Sequence, residues 1–130
     1  MRRTITIVAA LSLAFAATAF GQVKAKDGVY FAMDDNFGSS GWREEVVVTV
    51  KGGKIATAVW NAVPNTGIAD KLTAVAQGAY PMVKAGKAKA EWDVQAKAVQ
   101  DYLIKTQDVG FSKYTDAEGR TDAISGASIH

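Results

Sequence analysis

The sequence contains no cysteine and only one histidine, and both scarcities exclude classes of site. Without cysteine there is no disulfide framework, no thiolate metal site and no lipid-anchored leader. His130, the single histidine, is the last residue, so neither a Ser-His-Asp arrangement nor a metal site owned by the protein is expected. The domain must therefore be held together by core packing, and hydrolase chemistry is not expected.

The sequence also lacks a large excess of positive or negative charge. The chain has 15 Lys and Arg against 13 Asp and Glu, and Arg2 and Arg3 fall in a predicted leader. The mature domain is then close to neutral and has no basic stripe of the kind that nucleic-acid binding needs. Four lysines are interleaved with acids and predict a solvated helix face rather than a docking patch: Lys84, Lys87, Lys89 and Lys97.

The N-terminus has the pattern of a secretory signal peptide. Arg2 and Arg3 precede an uncharged apolar stretch over 5–17, and Ala17-Thr18-Ala19 offers an Ala-x-Ala cleavage site, with a second cut after Gly21. The apolar stretch is short for a transmembrane helix. We therefore expect a signal peptide over 1–21, one domain over 22–130, and export to the periplasm or the extracellular space without a stable membrane anchor.

The patterns after the leader predict an α+β domain, with a small antiparallel β-sheet and one main amphipathic helix packed on it. Strands are predicted at 29–33, 46–50 and 55–60, and Lys51-Gly52-Gly53-Lys54 joins the last two as a tight turn. A loop is predicted over 61–68, a short helix over 70–76 and another strand over 110–114. Apolar residues at helical spacing predict the main helix over 90–106: Trp92, Ala96, Val99 and Leu103.

The end of the chain carries the most informative pattern, from Asp122 to Ser128. Gly126 and Ala127 let a bulky group approach the backbone closely, and the hydroxyls of Ser125 and Ser128 flank them. Successive N–H groups in such a turn can bind an anion, and either hydroxyl could be esterified to a phosphate. The pattern indicates a site for a phosphorylated ligand, although small residues near a terminus also form plain turns.

The run Asp122-Ala123-Ile124-Ser125-Gly126-Ala127-Ser128 resembles the flavinylation motif of the FMN-binding domain family, Asp-x-x-Ser/Thr-Gly-Ala-Ser/Thr. The resemblance implies that Ser128 carries FMN through a phosphodiester bond. It also implies that Asp122 helps a flavin transferase recognise the motif. An aspartate can also cap a turn or helix, but the spacing of Asp122 to Ser128 favours the functional interpretation. Softer similarity extends over most of the chain after the leader: Asp27-Gly28-Val29-Tyr30, Lys51-Gly52-Gly53-Lys54-Ile55, Trp60-Asn61, Tyr80-Pro81-Met82, Glu91-Trp92, Tyr102-Leu103 and Thr106-Gln107.

A flavin also needs an apolar or aromatic wall for its ring. Six aromatic residues are candidates, although each also suits core or hairpin packing: Tyr30, Trp42, Trp60, Tyr80, Trp92 and Tyr102. Trp60 is favoured because it ends a predicted strand just before a predicted loop, whereas Trp92 opens the main helix and is expected in the core. The predicted FMN site therefore consists of Asp122, Ser125, Gly126, Ala127, Ser128 and Trp60.

The resemblance implies an exported electron carrier, rather than an enzyme, with FMN as its cofactor. Its implied partners are a flavin transferase that modifies it and a redox donor and acceptor. Two alternatives stay open: a domain that binds FMN without a covalent bond, and a cofactor-free secreted binding or inhibitor module. The family follows the motif with a C-terminal helix, whereas this chain stops at His130, so a chain extended beyond His130 is expected to accept FMN better.

Overall fold

The computed structural model describes residues 24–117 and 120–127. Within them, three strands form an antiparallel sheet in the order β1-β2-β3, and three helices follow. The elements are β1 (Gly28–Met33), β2 (Trp42–Lys51), β3 (Lys54–Pro64), α1 (Lys71–Ala76), α2 (Met82–Gly86) and α3 (Trp92–Thr106). The predicted α+β fold is confirmed. The predicted leader lies outside the described residues, as do Ser128 and His130.

The β2–β3 hairpin has the tight turn that its paired glycines predict. Gly52 and Gly53 have φ values of +61° and +74°, and a type I′ turn requires positive φ at both of its central residues. A bulge at Ala56 follows, because Val50 pairs with Ile55 whereas the preceding residue of β2 pairs with Thr57. The extra residue changes the alternation of β3, so that Ile55 and Ala58, three positions apart, are both buried.

Two of the predicted segments, a loop and a strand, differ from the structure. Residues 61–64 were expected in a loop, but β3 continues to Pro64, which pairs with Trp42. Proline is tolerated there because it is the last residue of an edge strand. Residues 110–114 were expected in a strand and belong to none. Their aromatic residues instead contact one another and α3, with Phe111 against Tyr102. These side chains therefore take part in tertiary packing and not in a strand.

One face of the sheet packs on α3 and forms the core. Every second residue of β2 from Val46 to Val50 is buried, and the predicted apolar side of α3 lies in the same buried cluster: Trp92, Ala96, Val99 and Leu103. The opposite face of the sheet is exposed, as is usual for an antiparallel sheet with one solvated side. Phe31, Val47 and Val59 are neighbours across that exposed face.

Two glutamine side chains take the place of a fourth strand along β3. Gln107 follows α3, and its amide accepts from the Ile55 N–H at 2.7 Å and donates to the Ile55 C=O at 3.0 Å. Gln100 of α3, with its amide oriented to suit its neighbours, donates to the Ala58 C=O at 2.9 Å and accepts from the Trp60 N–H at 3.1 Å. A side-chain amide offers the same donor and acceptor as a peptide group. These contacts cover part of a sheet edge that would otherwise be open to pairing.

Replacing Gln107 with leucine is expected to lower the free energy of unfolding by about 2 kcal/mol, because it leaves two buried backbone groups of Ile55 unsatisfied. The matched control is Gln77→Leu, at an exposed residue after α1, where we expect a change within about 0.5 kcal/mol. Urea unfolding followed by circular dichroism measures both. Equal losses in the two variants would contradict the role given to Gln107.

Candidate functional site

The described part of the C-terminal motif forms a tight turn on α3. Ile124 is 7% exposed, and its C=O accepts from the Ala127 N–H at 3.2 Å. Gly126 is the third residue of this turn and has a φ of +87°, the conformation that glycine supplies at that position of a type II turn. A Cβ on Gly126 would lie 3.7 Å from the Cβ of Ala98 on α3, which is ordinary contact. Glycine is therefore favoured here by its backbone conformation and not by lack of space.

Hydrogen bonds hold the segment that leads into this turn. Thr121 Oγ1 donates to the Lys113 C=O at 2.6 Å. The Arg120 C=O accepts from the Thr115 N–H at 2.7 Å, and the Arg120 guanidinium lies 3.1 Å from an Asp116 carboxylate oxygen. The chain before the motif is thereby tied, through both backbone and side chains, to the chain that follows α3. Arg120 and Thr121, the two residues before the motif, are therefore both held by hydrogen bonds to residues 113–116.

The turn presents its polar groups to solvent and buries its apolar ones. Asp122, Ser125 and Gly126 are exposed, whereas Ile124 is buried and Ala127 is half-buried against the core. An exposed hydroxyl beside a glycine of positive φ is an arrangement in which a phosphate can reach both a side chain and the backbone. The turn contains three of the predicted site residues, Ser125, Gly126 and Ala127, and Asp122 lies two residues before it. Ser128, the predicted acceptor, lies outside the described residues and follows Ala127 directly.

Trp60 lies elsewhere, in the core. Its side chain is 5% exposed and meets Trp92 edge-on, with 5.3 Å between ring centroids. Its Nε1 donates to Glu44 Oε2 at 2.8 Å. The sequence favoured Trp60 because a loop was expected after it, but β3 continues and its inner face is covered by α3. Contact between Trp60 and a flavin ring stays a prediction, whereas the core position predicted for Trp92, which is 3% exposed, is confirmed.

A second group of aromatic residues, Tyr102, Phe111 and Tyr114, contacts the same helix, α3, as the motif turn does. Tyr102 lies four residues after Ala98, so the two are neighbours on one side of the helix. Phe111 meets Tyr102 edge-on at 5.7 Å between centroids, and Tyr114 meets Phe111 in the same manner at 5.1 Å. All three rings are half-buried. Partial burial, together with the nearby Asp108 carboxylate, raises the pKa of Tyr114 above its ordinary value. Sequence reasoning missed Phe111 and Tyr114 because it assigned them to a strand.

A buried lysine is the centre of a second polar cluster. Lys71 is 4% exposed, and its Nζ lies 2.9 Å from Glu44 Oε1, while the other oxygen of Glu44 accepts from Trp60. The ammonium also lies 4.9 to 5.6 Å from three ring centroids, those of Trp42, Trp92 and Tyr80. A carboxylate and ring faces of this kind stabilise a buried ammonium. We interpret the cluster as structural, since it attaches α1 to the sheet.

The pKa values of two carboxyl groups, Asp70 at the start of α1 and Glu45 on β2, are shifted in opposite directions. Asp70 caps the helix by accepting from the Thr73 N–H at 3.0 Å, and this bond, followed by one from Asn61, lowers the pKa of Asp70. Burial raises the pKa of Glu45, and the negative charges of Asp70 and Glu44 add to that rise. Helix capping accounts for the lowered pKa of Asp70, and burial, followed by charge repulsion, accounts for the raised pKa of Glu45.

Comparison with solved structures relates the chain to two clostridial proteins. The solution NMR structure of a Clostridium thermocellum protein is 49% identical, covers 80% of this chain and 79% of that chain, and superposes with a TM-score of 0.59. This chain belongs to the same family. The crystal structure of a Clostridium perfringens protein is 22% identical over 78% of this chain and 73% of that chain, with a TM-score of 0.57, and shows the fold alone. No protein-family model and no curated protein matches the chain.

Two kinds of feature are absent from residues 24–117 and 120–127. No three Asp, Glu or His side chains in these ranges are grouped so that they could hold a metal ion. No helix in the same ranges is both long enough and apolar enough to cross a membrane.

Proposed function

We propose that this protein is an exported electron carrier that holds FMN through a phosphodiester bond to Ser128. The proposal is carried by one observation: Ser125 and Gly126 are exposed in a turn in which Gly126 has a φ of +87°, and this turn ends at Ala127, the residue before Ser128. FMN transfers one or two electrons, and a covalent bond keeps it on a protein that works outside the cytoplasm.

The anchoring of the turn supports modification by a separate enzyme. A flavin transferase must reach both the motif and its acceptor hydroxyl, so the motif has to be accessible and yet hold its shape. Asp122 and Ser125 are exposed, while Ile124 is buried beneath them and Thr121 is tied to the preceding loop. A modifying enzyme would thus meet a turn of defined conformation on the surface, with the acidic recognition residue and the small residues presented together.

The proposal is tested by producing the full chain together with a flavin transferase and following the flavin. We expect yellow protein whose flavin absorbance stays with the chain through unfolding in guanidinium and size-exclusion chromatography, because only a covalent bond survives unfolding. Flavin that separates from the unfolded chain would contradict the covalent bond and favour the non-covalent alternative. Colourless protein would contradict FMN binding itself and favour the cofactor-free binding module.

A further inference from the structure

We infer that the aromatic cluster of Tyr102, Phe111 and Tyr114 is the contact surface for the isoalloxazine ring of the flavin. The inference rests on the proposed function, in which the phosphate of FMN is attached to Ser128 after the motif turn. It adds a binding surface for the ring at the other end of the same ligand. It also replaces the ring wall expected at Trp60, whose side chain is 5% exposed and already covered by Trp92.

The cluster lies where a tethered ring would reach it. Gly126 is seated against Ala98, and Tyr102 is the next residue along the same side of α3, about 6 Å further along the helix axis. The ribityl chain separates the phosphate of FMN from its ring, so the ring must bind at some distance from the attachment residue. A surface one helical turn away from the motif meets that requirement.

A second connection fixes the cluster relative to the motif. Thr121, just before the motif, donates to the C=O of Lys113, and Lys113 is followed directly by Tyr114. The arm that leads into the motif and the arm that carries two of the three rings are therefore held side by side. The motif turn and the three rings are thus both connected to α3 and to the segment that follows it.

The rings have the chemistry and the exposure that a flavin ring needs. Aromatic side chains bind a flat aromatic ligand by offset stacking or edge-to-face contact. Tyr102, Phe111 and Tyr114 are half-buried, so each is held by the protein and still presents part of its surface to solvent. The two phenols add hydroxyl groups that can hydrogen-bond to a flavin. Trp60 and Trp92, at 5% and 3% exposure, offer no comparable surface.

The test uses the full chain carrying covalent flavin and compares Phe111→Leu and Tyr114→Leu with two matched controls. The controls are Phe37→Leu in an exposed loop and Tyr30→Leu on β1. Flavin absorbance of the unfolded chain measures attachment, and flavin fluorescence of the folded chain measures contact with the rings, since neighbouring tyrosines quench it. We expect full attachment in all four variants. Loss of one aromatic pair should weaken ring docking by about 2- to 10-fold in Phe111→Leu and Tyr114→Leu, with a matching rise in fluorescence.

Iodide quenching of the unsubstituted protein gives a second measurement that does not depend on any variant folding. If the ring lies against the cluster, its fluorescence is quenched by iodide less in the folded chain than in the unfolded chain. Attached flavin that is equally accessible in both states would overturn the inference, as would unchanged fluorescence in Phe111→Leu and Tyr114→Leu. Both results leave the proposed function standing. An unsubstituted chain that takes up no flavin would instead overturn the proposed function, and the inference with it.

Discussion

Replacing Lys71 with methionine is expected to lower the free energy of unfolding by about 3 kcal/mol, the largest loss of stability that we predict for a side chain of this fold. Lys71 is 4% exposed, and its ammonium lies 2.9 Å from Glu44. Methionine fills most of the same space among the rings but leaves the Glu44 carboxylate without its cation. The side chain of Glu44 remains 33% exposed, so water compensates part of the charge, and the loss falls at the low end of the range for breaking a buried pair.

Two companion variants separate the charge from the packing. Adding Glu44→Gln to Lys71→Met is expected to restore most of the lost stability, because the new amide oxygen can still accept from Trp60 Nε1 and carries no charge. Lys97→Met removes the cation of an exposed pair, Lys97 and Asp101 at 2.6 Å, and should cost less than about 1 kcal/mol. Urea unfolding followed by circular dichroism compares all three. A loss in Lys71→Met no greater than that in Lys97→Met would contradict the stabilising role of the buried pair.

The parts of the fold that could be predicted are those fixed by local signals. Gly52 and Gly53 identify the hairpin because few residues other than glycine adopt positive φ at both central positions of a two-residue turn. The helical spacing of Trp92 and Leu103, with the apolar residues between them, identifies α3 and its buried side. Each signal is contained within one short segment of the chain and can be recognised without the rest of the sequence.

The parts that could not be predicted depend on contacts between distant residues. Lysine is usually exposed, and the burial of Lys71 is explained by Glu44, 27 residues earlier in the chain, and by three aromatic rings around the ammonium. Phe111 and Tyr114 have the composition of a strand, but α3 ends at Thr106 and Gln107 turns the chain with a φ of +58°, so that the following residues pack on the helix. The edge of β3 is covered by glutamine side chains, a solution that leaves no pattern in the sequence.

In the candidate site, too, the local turn could be predicted but the contacts with distant residues could not. The Ser-Gly-Ala step indicates a turn, and the structure has that turn over 124–127 with the glycine at positive φ. The partner of the turn, Ala98, and the aromatic residues beside it could not be found from the sequence, because they come from α3 and from the returning segment. Trp60 was favoured for the ring on the expectation of a loop after it. The continuation of β3 instead leaves that residue between the sheet and α3.

Ser128→Ala is expected to abolish covalent flavin, whereas Ser125→Ala should reduce it at most. The proposed phosphodiester forms through the Ser128 hydroxyl oxygen, and alanine has no atom that can replace it. Ser125 lies within the turn and is exposed, so its replacement removes one hydroxyl beside the acceptor but leaves the acceptor and the positive φ of Gly126 in place. Ser128→Thr keeps a hydroxyl at the acceptor position and should retain the flavin. Ser112→Ala, at an exposed serine outside the motif, is the matched control and should be labelled fully.

The measurement is mass spectrometry of the chain after co-production with a flavin transferase and cleavage by trypsin. Cleavage after Arg120 releases the motif on a single peptide, and fragmentation of that peptide assigns the FMN mass to one serine or the other. FMN found on Ser125, or full labelling of Ser128→Ala, would contradict the assignment. Labelling that is lost in Ser128→Ala and kept in Ser128→Thr would instead trace the bond to the hydroxyl at this position, since the two variants differ there in side-chain chemistry and share the turn that precedes it.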